Sequence, residues 1–201
     1  MNYTTALKTS TPVAFGGFSE LHIIDGKAVK VLEDACHSDV LQECLLQKQA
    51  ADAGLAPQVH SVFKFGDKVV VVMDVIDTDV WFQADALDVF APTLLGELPE
   101  DEMRQGVKLY AQLLQAGVVH ADFHTGNWFM NPNGDLMAID FGIGSELATA
   151  SNKHLKRAVQ FLLPCLEQMG RDLLAQDLLN AWNDGPTATR ESLSFIADEL
   201  V

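Results

Sequence analysis

The sequence predicts an α+β fold in which a five-stranded antiparallel sheet precedes a mostly helical part. Two pairs of β-branched segments, each joined by a short turn, lie in the first 76 residues. A helix-like segment separates these pairs, and helical periodicity dominates the second half of the chain. Since 201 residues, 48% of them apolar, are enough to bury a core, we expect the chain to fold alone.

The two strand pairs read as β-hairpins. Residues 21–24 lead through an Asp-Gly turn into residues 28–32, and residues 61–65 lead through a Gly-Asp turn into residues 68–76. Turns of this composition between β-branched segments favour tight hairpins. A helix over residues 38–53 is predicted between the hairpins, because apolar residues recur at helical spacing and Gly54 follows as a C-cap.

Helices dominate the rest of the predicted structure. Residues 99–117 begin with an acidic turn and end at a glycine, as a helix does. A third hairpin is expected from residues 128–130 and 135–140 around an Asn-Pro-Asn-Gly turn. Residues 152–182 are helical in pattern, with interruptions expected near Pro164 and Gly170.

The charge and composition of the chain limit the partners that it can bind and indicate its cellular compartment. A formal charge of -15 opposes binding to nucleic acid and to anionic membranes, so neither is expected as a partner. Three cysteines without a CxxC pair argue against disulfides and zinc sites. The sequence has no segment long and apolar enough to span a bilayer and no signal-peptide pattern near its start. We expect a cytoplasmic protein, acting in its own cell or in a host cell.

The polar residues of the segment 118–142 point to chemistry. His120, Asp122, Asn127 and Asp140 are expected at one edge of a loop and hairpin. Phosphoryl transfer from ATP needs a carboxylate for the hydroxyl proton, oxygen ligands for Mg²⁺ and a cation on the phosphates. All of these residue types are present. A cleft between a sheet lobe and a helical lobe would supply a place for the nucleotide.

The sequence HADFHTGN (120–127) resembles the catalytic loop of the protein-kinase-like superfamily, and IDFG (139–142) resembles its magnesium-binding motif. The resemblance implies a bilobal kinase-like fold that binds ATP and Mg²⁺. It implies that Asp122 is the catalytic base, that Asn127 and Asp140 hold the metal, and that His120 is structural. One domain over residues 1–201 is expected, with an N-lobe at about 1–76 and a linker and reduced C-lobe at about 77–201.

The same resemblance assigns residues in the first lobe. It implies that Lys30 reaches the phosphates and that Glu43, rather than Glu33, orients it. The backbone of Gly16 and Gly17 would cover the phosphates, although the full glycine-rich pattern is absent. Met73 would be the gatekeeper, and Asp74 and Ile76 would offer backbone groups to adenine. The resemblance therefore implies a nucleotide site formed by six residues: Gly16, Gly17, Lys30, Met73, Asp74 and Ile76.

The chain resembles the reduced, atypical members of the superfamily: the RIO kinases, the small kinase of the KEOPS complex and short bacterial effector kinases. The resemblance implies a serine/threonine protein kinase that autophosphorylates and has a protein substrate or an activating protein partner. His124 replaces the catalytic-loop lysine, as in aminoglycoside and choline phosphotransferases, so a small-molecule kinase is an alternative. An ATP-binding pseudokinase or partner-activated scaffold is another, because the glycine-rich loop is incomplete.

Simpler interpretations exist for three of these features. Lys30 taken alone is typical of an exposed strand lysine, and Glu43 of a solvated helix face. The alternating His120, Asp122 and His124 could also be ligands of a transition metal. The order of all the motifs along the chain favours the kinase interpretation over each of these alternatives.

Overall fold

The computed structural model of the protein describes residues 2–15, 19–83 and 100–201. Its first sheet has five antiparallel strands in the order β1-β2-β3-β5-β4, which confirms the predicted α+β class. The strands are β1 (Ala14–Phe15), β2 (Ser19–Ile24), β3 (Lys27–Leu32), β4 (Val59–Phe65) and β5 (Lys68–Asp74). The last of these ends at Asp74, two residues earlier than predicted, and the chain leaves the sheet there.

Turn chemistry fixes the register of the two hairpins. Asp25 and Gly26 both have positive φ, 54° and 68°, as a type I′ turn requires. In the second hairpin the positive φ belongs to Gly66, at 68°, the first of the two turn residues. A glycine adopts this angle without strain, so both hairpins close over two residues, and the pairing of β4 with β5 stays in register from the turn back to Ser61, beyond which it shifts by one residue.

The sheet is covered on both faces. Helix α1 (Tyr3–Leu7), which the sequence did not predict, packs on one face over buried valines and Ile24. Helix α2 (His37–Asp52) covers the other face, where Val40 and Cys44 contact the alternate valines of β5. The alternation of inward and outward side chains along β3 and β5 therefore separates two small hydrophobic clusters.

The second half is built from helices and short strands. The helices are α3 (Glu100–Gln115), α4 (Asn152–Gln168), α5 (Asp172–Asp184) and α6 (Pro186–Leu200), and the strands are β6 (Phe82–Gln83), β7 (Val118–Val119), β8 (Trp128–Met130), β9 (Leu136–Ala138) and β10 (Ser145–Glu146). Strands β8 and β9 form the predicted third hairpin, with β6 beside β8, and β7 pairs with β10. The helices enclose the largest hydrophobic cluster, which α2 also enters through Leu46, Ala50 and Ala51.

The predicted interruption near Pro164 is wrong, whereas the one near Gly170 is present. Helix α4 continues through Pro164, because both the proline and Gln160, whose carbonyl loses its donor, lie on the solvent-exposed side. The chain turns instead at Gly170, with a φ of 67°. None of the helices in the described ranges is long and apolar enough to cross a bilayer. Residues 84–99, which include most of the expected linker, lie outside the described residues.

Candidate active site

An ion pair joins the first sheet to α2. Lys30 Nζ lies 2.9 Å from Glu43 Oε1, and the two side chains are only 22% and 14% exposed. Burial by itself lowers the pKa of Lys30, but the carboxylates of Glu43 and then Asp140 outweigh burial and raise the pKa above its ordinary value. Lys30 therefore stays a cation in a site of carboxylates. Glu33, the alternative partner, pairs with Lys68 instead.

A cavity of about 550 Å³ opens in front of this pair, between the first sheet and the β8-β9 hairpin. Its walls include Lys30, Glu43, Met73, Asp74, Ile76 and Asp140. The structure thus brings together on one cavity the predicted nucleotide residues that it describes. Gly16 and Gly17 lie outside the described residues, although Phe15 and Ser19, which flank them, line the same cavity. The lining is mainly apolar, as an adenine-sized base requires.

Asp140 enters the site through an unusual backbone conformation. Its φ is 61°, in the left-handed region that few residues other than glycine adopt. At Gly142 a Cβ atom would lie 3.5 Å both from Asp140 Oδ1 and from Glu43 Oε2. The two carboxylates therefore lie close to the same glycine. Strained backbone of this kind is typical of a functional turn.

His120 ties the loop of residues 120–127 to the strand end before Asp140. Its Nε2–H donates to the carbonyl of Ile139 at 2.8 Å, and its Nδ1 accepts the N–H of Asp122 at 3.4 Å. Burial lowers the pKa of His120, so the neutral ring that these bonds require is favoured. Because both nitrogens bond within the protein, His120 is not available as a metal ligand, which removes one member of the transition-metal alternative.

Asn127 is oriented by its amide nitrogen. Nδ2 donates to the carbonyl of Asp122 at 2.9 Å, and within the described part of the chain Oδ1 has no hydrogen-bond partner. The carboxylate of Asp140 is likewise without a hydrogen bond from the described residues. An amide oxygen and a carboxylate are hard ligands that suit Mg²⁺, which completes its shell with water and phosphate oxygens. The donor set at Asn127 and Asp140 therefore fits this metal.

Among the described residues, Asp122 does not line the cavity; it lies in the loop that His120 ties to Ile139, with its side chain 44% exposed. His124 Nε2 is 3.9 Å from one of its oxygens. His124 Nδ1 accepts the N–H of Gly126 at 3.1 Å, and its Nε2 lies 3.1 Å from Asn127 Nδ2. The predicted base and His124 thus occupy one corner of the site, beside the amide of Asn127.

Arg157 is a site residue that the sequence did not reveal. It lies on α4, and its Nη1 donates to the carbonyl of Ala121 at 2.9 Å while lying 3.7 Å from Asp122 Oδ1. A basic residue 35 positions after Asp122 carries no motif that would connect the two. The basic composition of residues 153–157 was the only available signal.

A second missed contact holds the end of β5. Asp74 Oδ1 accepts from Lys27 Nζ at 2.8 Å and lies 2.7 Å from His60 Nε2. The hydrogen bonds from Lys27 and then His60 hold the pKa of Asp74 below its ordinary value. Because Asp74 lines the cavity, these contacts set the position of the segment where adenine was predicted to bind.

Residues 29–166 match the family described as the ABC1 atypical kinase-like domain. The match covers more than half of the chain and runs from the strand that carries Lys30 to the helix that carries Arg157. It includes the loop of Asp122 and the turn of Asp140.

Proposed function

The chain belongs to the ABC1 atypical kinase-like family, which is part of the protein-kinase-like superfamily, and from this premise we propose an ATP- and Mg²⁺-dependent phosphotransferase that acts on a hydroxyl group. The observation that carries the proposal is the convergence of Lys30, Glu43 and Asp140 on one cavity. A half-buried cation beside two carboxylates suits a magnesium nucleotide, whose phosphates need the cation and whose metal needs an anionic ligand.

Each residue then has a distinct task. Lys30, oriented by Glu43, contacts the phosphates, while Asp140 and the amide oxygen of Asn127 hold Mg²⁺. The metal, when bound, neutralises charge on the phosphates. Asp122 orients the acceptor hydroxyl and takes its proton. His124 stands in place of the lysine of typical protein kinases and is proposed to face the transferring phosphoryl group beside Asp122.

Adenine is proposed to occupy the apolar cavity that Lys30 and Glu43 border. We propose that backbone groups of Asp74 and Ile76 bind adenine and that Met73 borders it, since all three line the cavity. Gly16 and Gly17 are proposed to cover the phosphates, because Phe15 and Ser19, the nearest described residues before and after them, line the cavity. The whole chain is proposed as one domain, with a sheet lobe that ends near residue 76.

The acceptor is proposed to be a serine or threonine of a protein, with the protein itself as one substrate. A small hydroxyl compound remains the second candidate, because His124 in the loop resembles small-molecule phosphotransferases. The likeness to the RIO and KEOPS kinases is part of the same proposal. Activation by a protein partner is compatible with all of these, since the acceptor side of the site is open to solvent.

The test is incubation of the purified protein with γ-labelled ATP and Mg²⁺, alone and with a generic protein substrate. We expect label transfer that falls by a factor of about 10² to 10⁴ in Asp122→Asn, because the proton acceptor is lost. ATP binding, measured by calorimetry, should persist in that variant. Asp140→Ala should instead abolish the Mg²⁺ dependence of nucleotide binding.

A matched control is Asp135→Asn, which removes a carboxylate from the exposed turn of the third hairpin, where Asp135 bonds Asn131. It should keep full transfer. Full transfer in Asp122→Asn would refute the assignment of the base. Nucleotide binding without transfer in the unmodified protein would favour the pseudokinase, and transfer only to small alcohols would favour the second candidate.

A further inference from the structure

A basic surface lies at the start of α4, next to the proposed base. The chain has 13 lysine and arginine residues, and three of them, Lys153, Lys156 and Arg157, fall within five positions. In a chain of net charge -15, such a concentration of positive charge stands apart from its surroundings. We call these three residues the basic face of α4.

Helix geometry places the three side chains together. Residues three and four apart on a helix are neighbours, so Lys153, Lys156 and Arg157 lie on one face of α4. All three are exposed, whereas Leu155, Ala158 and Val159 on the opposite side are buried. Lys153 and Arg157 both lower the pKa of His154, after the larger effect of burial, which reflects the positive field of this turn. Within residues 2–15, 19–83 and 100–201, neither lysine has a carboxylate within ion-pair distance.

Arg157 connects this face to the acceptor side of the site. Its Nη1 is held by the carbonyl of Ala121 and lies 3.7 Å from Asp122. Its Nε and Nη2 make no hydrogen bond with the described residues. A planar guanidinium that is anchored at one nitrogen and open at the others can bind a carboxylate in a fixed position. The basic face therefore begins within contact distance of the group proposed to receive the hydroxyl proton.

We propose that the basic face of α4 docks an acidic segment of the protein substrate, so that the accepted serine or threonine is flanked by aspartate or glutamate. This inference rests on the proposed function and names its substrate class. Lys153 lies about 6 Å along the helix from Arg157. An extended peptide rises about 3.3 Å per residue, so acidic residues within roughly two to four positions of the hydroxyl would meet the face.

The extent of the face is the reason for choosing a polypeptide. A small phosphorylated alcohol held at Asp122 would reach Arg157 but leave Lys153 and Lys156 without a partner. A peptide segment uses all three positive charges. Opposite charges across an interface act mainly on specificity and association rate. The face would then select among substrates whose hydroxyl groups are chemically equivalent.

The binding test uses three fluorescein-labelled peptides that share one serine and differ only in its flanks, which carry Glu, Gln or Lys. Binding to the full chain is followed by fluorescence anisotropy at about 50 mM salt. We expect the Glu peptide to bind about tenfold more tightly than the Gln peptide, and the Lys peptide to bind most weakly. The preference should shrink at about 500 mM salt, because exposed charges are screened.

Charge reversal provides the decisive comparison. The double variant Lys153→Glu, Lys156→Glu should invert the order, so that the Lys peptide binds best. The control variant Lys64→Glu changes one exposed lysine of β4, on the other half of the molecule, and should leave the preference unchanged. Thermal melting of each variant checks that the exposed substitutions leave the fold intact.

Three results would overturn the inference: equal binding of the three peptides, a preference that survives charge reversal, or binding of anionic phospholipid vesicles in place of the Glu peptide. Because anisotropy needs no phosphoryl transfer, these results are independent of the proposed function. Loss of the proposed function would appear separately, as absence of label transfer to any of the peptides and to the protein itself despite a binding preference.

Discussion

The two sides of the candidate site are built differently. On the sheet side, Lys30 and Glu43 meet at 2.9 Å in a pair that is mostly buried. On the loop side, Arg157 and His124 lie 3.7 and 3.9 Å from Asp122, and the three side chains are 33% to 44% exposed. One side is fixed by packing, whereas the other is an open group of charges that leaves room for an incoming molecule.

This difference separates two kinds of recognition. In the proposed reaction the nucleotide is the same for every acceptor, so a rigid and partly desolvated pair of charges suits nucleotide binding. The acceptor differs from one kinase-like protein to another, and loosely arranged, solvated charges can be changed without disturbing the core. The exposed side is thus where specificity can be altered at little cost in stability.

The largest expected effect comes from breaking the packed side. Lys30→Met should lower phosphoryl transfer by about 10² to 10³, the loss seen when one preorganised charge-stabilising contact is removed. It should also lower the free energy of unfolding by about 1–3 kcal/mol, because Glu43 is left half-buried without its cation. Denaturant melts and label transfer measure the two effects.

Lys48→Met is the matched control for that substitution, because Lys48 pairs with Asp52 on the exposed face of α2, the helix that carries Glu43. Its effect should stay within about 0.5 kcal/mol. Equal losses in the two variants would mean that the Lys30 pair is no more important than a surface ion pair.

The next largest effect is expected in the reactivity of the cysteine thiols, which depends on how α2 packs on the sheet. Hydrogen bonds from Ser38 lower the pKa of Cys36 at the exposed start of α2, whereas burial raises the pKa of Cys44 and of Cys165 to about 11. At pH 8, one thiol should react with a disulfide reagent at least about a hundredfold faster than the other two. Cys36→Ser should remove the fast phase. Two fast thiols would mean that α2 does not seal this face of the sheet.

Acid should destabilise the protein through His120. Because its pKa is lowered in the folded state, the unfolded chain binds more protons, and the free energy of unfolding falls as the pH drops below about 6.5. For the buried His120 the slope approaches about 1.4 kcal/mol per pH unit. His154, whose pKa is also lowered but which is more exposed, adds a smaller part. Urea melts of His120→Asn and His154→Asn between pH 5 and 7 should show how much of the slope each histidine contributes. An unchanged slope in His120→Asn would contradict a neutral His120 ring in the folded protein.

The smallest effect concerns salt. Arg157→Gln should reduce transfer to a protein acceptor about three- to tenfold at low salt, and the reduction should largely disappear near 0.5 M salt. The loss in Lys30→Met should not depend on salt, because that pair is shielded from solvent. Arg171→Gln, at an exposed position before α5, serves as the control. Equal salt dependence on the two sides would remove the contrast between them.

The sequence was most informative where local rules decide the structure. The Asp-Gly turn at residues 25–26 requires two positive φ angles, so the first hairpin could be predicted. The polar loop and turn residues that suit phosphoryl transfer all fall within residues 120–140, so their pattern could be recognised in one short segment. The sequence also placed Lys30 and Glu43 in the order that the sheet and α2 then bring into contact.

Contacts made by tertiary packing could not be predicted. Arg157 meets Ala121 only because α4 folds back across the loop, and no local pattern records this. Helix α1 is five residues long, too short to show a period, and forms by packing Tyr3 and Leu7 on the sheet. Pro164 misled because a proline breaks a helix less readily where the freed carbonyl can be hydrated.

The entry of α2 into the main hydrophobic cluster has a dynamic consequence. Leu46 and Ala50 belong to the cluster that also contains buried residues of α3 and α4, and Gln49 Nε2 donates to the carbonyl of Ala116 at 2.6 Å. A swing of α2 that withdrew Glu43 would have to open this cluster, so its amide protons should exchange with solvent only through global unfolding. The helix therefore behaves as a fixed part, and any on-off control of the protein has to act through the loop side.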